Sequence, residues 1–299
     1  MVARYRFTLS ALAAAVALLA WGGFVTSIDA GLAVPDWPTS FSSYDPFNPW
    51  PEWWRVTPVL AEHGHRLVGA LVGFLTLLLA IWTARSDPRG WMKKLGFIAL
   101  ALVIVQGVLG GLRVIWVSVD LAVVHACTAQ LFFALLACMA LFTSTSWTTL
   151  PGSVPATAVR PLALPGIHAA AAIFLQIFLG ALLRHPGTGI DPILAGLHLF
   201  WAGAAAALVV RHAAWIRSTW SPHPLARRFF GALVGLVILQ ILLGFVAYFV
   251  LLDEQGILRP SNLQVIVNSL HLVVGAALFT TNVVAAVATH RASAVADPA

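Results

Sequence analysis

The sequence predicts an all-α integral membrane protein of eight transmembrane helices, on the basis of its composition and of the length of its apolar runs. Of the 299 residues, 60% are hydrophobic and only 9% are charged, whereas a soluble domain carries about 25% charged residues. A helix needs about 20 apolar residues to cross a bilayer. Eight runs meet this length, at residues 7–28, 58–84, 94–115, 121–144, 163–183, 192–215, 228–252 and 265–289. They are continuously apolar rather than alternating, which excludes a transmembrane β-barrel.

The distribution of positive charge predicts that both termini are cytoplasmic. The loops on the side of the termini hold twelve Lys and Arg residues, and those on the opposite side hold four. Short cytoplasmic loops are enriched in these residues, so in a bacterium the chain would lie in the inner (plasma) membrane. Orientation therefore explains the net charge of +6 better than nucleic-acid binding does.

A repeated pattern predicts two pseudo-symmetric four-helix bundles, residues 1–150 and 151–299. Gln and Gly recur four residues apart in spans three, five and seven, as Gln106 with Gly110, Gln176 with Gly180, and Gln240 with Gly244. Residues at this spacing share one helix face, and glycine lets another helix or a flat ligand approach closely. The linker 146–162, rich in Pro and Gly, is where the halves join.

Four histidines stand at a common depth, one in each even-numbered span. They are His65, His125, His198 and His271, each predicted to lie about 6–11 Å below the outer boundary. By contrast His168, His212, His223 and His290 fall at the cytoplasmic edge or in loops, where we expect them to be solvated. An imidazole in hydrocarbon is costly and needs a partner.

Two pairs of haem ligands are the interpretation that these four residues favour. Imidazoles on facing helices, with an apolar macrocycle between them, suit glycine-lined and otherwise apolar helices. Unrelated hydrogen-bonded histidines, a proton relay, and a zinc or copper site are the alternatives. Haem propionates would emerge near Arg66, Arg113 and Arg184, although each arginine could instead extend to lipid phosphate.

One carboxyl group distinguishes the two halves. Glu62 precedes His65 by three residues and shares its helix face, while the matching positions before His198 and His271 are Ala195 and Asn268. Glu62 is either a solvated carboxylate at a helix start or a catalytic group. The asymmetry favours a catalytic site in the first half and a purely redox site in the second.

These residues together resemble the haem A synthase family of membrane enzymes. The likeness rests on the run Gly31-Leu-Ala-Val-Pro-Asp-Trp-Pro38, on Glu62-His-Gly-His65-Arg66, and on the ordered histidines and Gln-Gly pairs, and it covers nearly the whole chain. It departs from many bacterial members in the first outer loop, residues 29–57, which contains no cysteine pair. That loop is instead rich in Trp, Phe and Pro, as in an interfacial lid or an aromatic belt.

The resemblance implies an oxidoreductase that converts a methyl group of haem O to the formyl group of haem A. It implies that His65 and His125 hold the substrate haem, that Glu62 is catalytic, and that His198 and His271 ligate haem b. Implied partners are haem O, the enzyme that forms it, lipid and a membrane electron donor. The rivals are a non-catalytic dihaem cytochrome b, which would not need Glu62, and a transporter built on repeats.

The charge count generates a test of topology. Cysteines introduced at Ser42 and Ser218 should react with a membrane-impermeant thiol reagent from opposite sides of the membrane, because the two positions fall in loops of opposite charge bias. Labelling is measured on intact cells and on inverted vesicles. Labelling of both positions from the same side would contradict the eight-span topology.

Overall fold

The computed structural model describes residues 2–150, 159–184, 191–221, 223–253 and 260–292, and in these ranges the chain forms ten helices. They are α1 (Val2–Ser27), α2 (Glu52–Arg55), α3 (Thr57–Ser86), α4 (Gly90–Ile115), α5 (Val119–Thr143), α6 (Thr145–Thr149), α7 (Val159–Arg184), α8 (Pro192–Thr219), α9 (Pro224–Asp253) and α10 (Asn262–Ala292). All except α2 and α6 are long and apolar enough to cross a membrane, which confirms the eight predicted spans. The protein is a multi-pass membrane protein.

The helices extend a few residues beyond the predicted spans. α1 begins at Val2 rather than near residue 7, and α10 ends at Ala292 rather than near residue 289. The difference arises because hydropathy marks the hydrocarbon layer, whereas a helix continues through polar residues until a cap or turn ends it. Ser118 accepts a hydrogen bond from the Leu121 N–H and Asp191 accepts from the Ile193 N–H, so these side chains fix the starts of α5 and α8.

The eight long helices form two rings of four. In the first half α1 packs on α3, α3 on α4, α4 on α5, and α5 closes the ring on α1; in the second half α7, α8, α9 and α10 repeat this order. The halves meet where α1 packs on α10, α5 on α7, and α5 on α10. These contacts match a pseudo-two-fold axis between α5 and α10, as the repeat predicted.

The helices beside that axis carry much of the buried core. Leu136 and Met139 of α5 are fully buried, as are Ala285 and Ala288 of α10. Large apolar side chains on the outer faces of the rings are exposed instead, among them Phe74, Ile104 and Phe245. An apolar exterior around a buried centre is the arrangement expected where lipid is the solvent.

The two ends of the helix bundle carry different segments of the chain. Arg4 of α1, Arg89 of the α3–α4 turn and Arg291 of α10 surround one cavity, so the start of α1 and the end of α10 lie together at what we call the termini end. The opposite end carries the long segment between α1 and α3, and is called the loop end. Linker residues 151–158 lie outside the described residues.

Candidate functional site

Each of the four membrane histidines lies against a glycine of the preceding long helix. A methyl group on any of these glycines would come within 3.1–3.3 Å of the imidazole Cε1, which is closer than ordinary van der Waals contact. The pairs are Gly22 with His65, Gly110 with His125, Gly180 with His198, and Gly244 with His271. Glycine is therefore the residue that makes room for the ring at each position.

The glutamine of each repeat contacts the same histidine as its glycine. The Gln176 amide nitrogen donates to the His198 carbonyl at 3.0 Å and lies 3.1 Å from its ring Nε2. The Gln240 amide nitrogen lies 3.2 Å from Nε2 of His271. When the Gln106 amide oxygen accepts from the Ala129 N–H, the Gln106 amide nitrogen lies 3.1 Å from Nδ1 of His125. The face shared by Gln and Gly is thus a seat for one imidazole.

The sequence pattern missed the fourth seat. Gly22 supports His65, but the residue four positions before it is Leu18 rather than glutamine. The repeat was recognised by the Gln-Gly pair. A copy that has the glycine without the glutamine cannot be distinguished in the sequence from a glycine of ordinary helix packing. Only the position of Trp21-Gly22 near the end of the first span could have indicated it.

The histidines are paired within each half. His65 interacts electrostatically with His125, and His271 with His198. The four rings lie six to nine residues after the starts of α3, α5, α8 and α10, or about 9–14 Å along the helix. The distance from the helix start is greater than predicted, because three of these helices begin earlier than their apolar runs.

The chemistry of the pairs fits a haem iron better than zinc. The Nδ1 atoms of His65 and His271 are buried without a hydrogen-bond partner. Buried polar atoms normally have such a partner. Zinc takes three or four protein ligands. Across the described ranges no group of three His, Cys, Asp or Glu residues is placed to hold a metal ion. The two imidazoles of each half could hold a haem iron, and this assignment stays a prediction.

Glu62 is buried at the loop end of α3. Its side chain accepts a hydrogen bond of 2.7 Å from the Val34 N–H and forms an ion pair of 2.9 Å with Arg66. Only 4% of the residue is exposed, so the alternative of a solvated helix-start carboxylate is wrong. Glu62 is buried because the segment around Val34, which is itself fully buried, folds back over the start of the helix.

Two neighbours of Glu62 hold the same segment in place. Arg66 donates to the carbonyls of Asp36, Thr39 and Val34 at 2.7–3.1 Å. His63 is buried, with Nδ1 3.2 Å from the Ser40 hydroxyl and Nε2 2.8 Å from the Pro46 carbonyl. The sequence suggested no role for His63, since its partners lie about twenty residues away in a loop.

Residues 31–38 form a cover over the first-half site. Gly31 lies against the Arg113 guanidinium, which donates to its carbonyl at 2.7 Å. Trp37 packs directly on Gly111 of α4. Together with the contact of Val34 to Glu62, these interactions tie the segment to both α3 and α4. We call residues 29–56 the lid, which is the first of the two predicted alternatives for this loop.

Asp36 stabilises the turn that follows this cover. Burial raises the pKa of its carboxyl, but hydrogen bonds from the Thr39 hydroxyl and from the Ser42 and Phe41 N–H groups outweigh that effect and hold the pKa below its ordinary value. Beyond the turn, Tyr44, Phe47 and Trp50 are exposed. Exposed aromatic residues at this level suit a membrane interface.

Arg184 links the two halves. It donates to the Gly23 carbonyl at 2.7 Å and to the Ser27 hydroxyl at 2.5 Å on α1, and to the Asn268 carbonyl at 3.2 Å on α10. It also interacts electrostatically with His271. The predicted contacts of Arg66, Arg113 and Arg184 with propionates remain predictions, and all three guanidinium groups are close to the histidine pairs.

His212 contradicts its predicted solvation. It is fully buried in α8, and its Nδ1 lies 2.7 Å from the Asn282 amide oxygen, whose nitrogen donates to the Gly166 carbonyl. The prediction was wrong because the residue lies near the end of an apolar run, while α7 and α10 extend past it and cover it. His168, in contrast, is exposed.

Comparison with known proteins adds the family. The model of the COX15-CtaA family, described as cytochrome oxidase assembly protein, matches residues 5–191, which is more than half of the chain. The chain belongs to this family. The matched COX15-CtaA region contains Glu62, His65 and His125, and it ends where α8 begins.

Named relatives of this COX15-CtaA protein agree with the resemblance. A haem A synthase of Symbiobacterium thermophilum is 33% identical over 184 residues, 59% of this chain and 58% of the relative. A haem A synthase of Exiguobacterium sibiricum is 32% identical over 174 residues, 57% of this chain and 55% of the relative. A protohaem IX farnesyltransferase of Haloarcula marismortui is 36% identical over 105 residues, 35% of this chain and 21% of the relative. The chain thus spans little more than half the length of the haem A synthases that it matches here.

The contacts of His63 generate a test of the lid. His63→Leu keeps the bulk of the side chain but removes both hydrogen bonds to the lid, so local opening should become easier. Backbone hydrogen exchange across residues 40–48 should accelerate by roughly tenfold, since one or two hydrogen bonds are lost. The control is His168→Leu, at an exposed position of α7, and exchange in the lid that is equal in both variants would contradict the anchoring role.

Proposed function

We propose that this COX15-CtaA protein is a haem A synthase, which oxidises a methyl group of haem O to the formyl group of haem A. The observation that carries the proposal is Glu62, buried beneath the lid about one turn before His65 on α3. The second half repeats the histidines and glycines, but it has Ala195 and Asn268 where Glu62 would stand. A dihaem electron carrier would need the repeated parts and not this carboxylate.

The first half, residues 1–150, would bind the substrate. His65 and His125 would hold the haem O iron, and the glycine beside each ring would keep that ring in place. The lid would exclude water and strengthen electrostatic interactions inside the site. Arg113 and Arg66 lie where they could meet propionates. In the resting protein their guanidinium groups bond to lid carbonyls, so substrate binding would exchange some of these bonds.

The second half, residues 151–299, would hold a permanent haem b on His198 and His271. The support is the repeat itself, because the Gly-His-Gln contacts of this half are the same as those around His125. Haem b would supply one-electron redox chemistry when bound. Arg184, between α1 and His271, is placed to interact with a propionate or to fix the two halves relative to each other.

Glu62 would act on the reacting carbon. Converting the methyl group to the formyl group is a four-electron oxidation that adds one oxygen atom and releases protons, by two hydroxylations and loss of water, and its electrons would pass to an oxidant outside the chain. The Val34 N–H and Arg66 orient the carboxylate from two sides. So oriented, it can accept one of these protons or stabilise positive charge that develops at the carbon.

The cellular setting follows the same proposal. The protein would lie in the bacterial inner membrane with both termini cytoplasmic, so that the lid and the substrate site face outward. Haem O is apolar and would arrive from the enzyme that makes it, through the membrane. The similarity to a protohaem IX farnesyltransferase supports a partnership with an enzyme of that kind, and a membrane electron carrier would complete the system.

The haem b assignment is tested by removing its ligands. His198→Ala or His271→Ala should abolish the tightly bound b-type haem, because bis-imidazole coordination fails when either ligand is lost. The absorption spectrum and the extracted haem content of the purified protein measure the loss. The control is His168→Ala, at an exposed position of the same half. An unchanged low-spin spectrum in both ligand variants would refute the pairing.

The role of Glu62 is tested by Glu62→Gln. This variant keeps the size and the acceptor for the Val34 N–H but removes the charge, so it should still hold haem b and haem O. Loss of a general acid–base group costs about 10²–10⁴-fold in rate, so haem A should be nearly absent when the protein is expressed with a source of haem O.

A matched variant separates catalysis from loss of the lid. His63→Leu loosens the same segment without touching the carboxylate, and it should reduce haem A far less than Glu62→Gln does. Extracted haems are separated and weighed by mass spectrometry for both variants. A normal yield of haem A from Glu62→Gln would remove Glu62 from the reaction.

A further inference from the structure

A cavity of about 180 Å³ lies at the termini end, at the opposite end of the helices from the histidines. Four elements from both halves line it: Arg4 of α1, Asp87 and Arg89 of the α3–α4 turn, Trp147 of α6, and Arg291 of α10. Three guanidinium groups face one carboxylate, so the lining carries excess positive charge. The haem chemistry proposed above uses none of these residues.

The carboxylate of this cavity is already paired with two arginines. Asp87 is buried and forms ion pairs with Arg4 at 2.5 Å and with Arg89 at 2.7 Å. The hydrogen bond from Arg89 holds the pKa of the Asp87 carboxyl at about 2, so the group is ionised at any physiological pH. Arg4 and Arg89 are therefore fixed in position, and Asp87 has little capacity to neutralise a third cation.

Arg291 is the third cation. Within the described ranges it forms no ion pair, and its guanidinium lies 5.3 Å from the centre of the Trp147 ring. Its Nε and the Nε of Arg4 are buried without a hydrogen-bond partner. Buried polar atoms of this kind are costly when left unpaired. A guanidinium presents a planar fork of donors that matches the oxygens of a phosphate.

A second, largely apolar groove of about 360 Å³ is lined in part by residues next in the chain to those of the cavity. Its lining includes Tyr5 and Ser146, the chain neighbours of Arg4 and Trp147, and continues between the halves along α5, α9 and α10. Ala137, Ala140 and Val284 give it small apolar walls. A charged cavity with a largely apolar groove near it matches a phospholipid, with its polar head and its acyl chain, better than it matches free phosphate.

We propose that this cavity binds the phosphate of an anionic phospholipid whose acyl chain lies in the apolar groove. The lipid would contact Arg4 of the first half and Arg291 of the second, and so would hold the two halves together at the termini end. A net positive site selects an anionic headgroup over a zwitterionic one, because the ammonium of the latter would meet like charge.

The test measures lipid retention in the full-length protein. Wild-type protein and variants are purified in mild detergent, titrated with phosphatidylglycerol or phosphatidylcholine, and examined by native mass spectrometry. Wild type should retain phosphatidylglycerol in preference to phosphatidylcholine. Arg291→Gln should weaken phosphatidylglycerol binding by about fivefold, the effect of one cation near a membrane surface, and Arg291→Lys should restore part of it.

Controls decide between a specific site and general attraction. Arg85→Gln removes the same charge at an exposed position of the same end, outside the cavity, and should leave retention unchanged. Thr281→Leu narrows the groove without changing charge and should reduce retention. Equal losses in Arg85→Gln and Arg291→Gln, or unchanged binding in Thr281→Leu, would overturn the proposal. So would displacement of the lipid by millimolar inorganic phosphate, which would identify a free-phosphate site.

Discussion

The contact between an imidazole ring and a bare glycine is the constraint on which the rest of this structure depends. A polar ring in hydrocarbon must be satisfied by a partner, and a ring that is to reach a central ligand must also pass close to the neighbouring helix. The four glycines lie so near the imidazole Cε1 atoms that a methyl group would press on them. Helix spacing, ring orientation and the common depth of the site therefore all follow from one contact repeated four times.

The sequence predicted the parts of the molecule that local pattern determines. The eight spans follow from apolar length, and the repeat follows from the Gln-Gly spacing, because both signals lie within single helices; the contact of each pair with a histidine was not predicted. It could not predict what distant segments contribute. Glu62 looks like a solvated helix start until Val34 is seen to cover it, and His63 and His212 have partners in other elements. The fourth glycine, Gly22, was not recognised because Leu18 stands where the other copies of the repeat have glutamine.

Part of the asymmetry between the halves lies in a repeated helix, where Glu62 of α3 has no counterpart, and part lies in the segment that covers it. The helical scaffold supplies two pairs of histidines, and the lid covers the first; residues 185–190 and 254–259 of the second half lie outside the described residues. Without residues 31–40 the Glu62–Arg66 ion pair and Arg113 would lose hydrogen-bond partners, because the backbone of this segment supplies acceptors for the arginines and a donor for Glu62. Burial of such groups is tolerable only when they are paired, so the lid and this polar cluster require each other.

Helix α1 places the two sites under one geometric constraint. Gly22 faces His65 in the first half, while Gly23, the next residue, packs against Ser269 of α10 and accepts from Arg184 through its carbonyl. Gly22 thus contacts the histidine site of its own half, and Gly23 contacts two helices of the other half. A larger side chain at either position would displace one partner, and α1 could not move to relieve that clash without disturbing the second contact. This segment therefore fixes the separation and relative orientation of the histidine pairs.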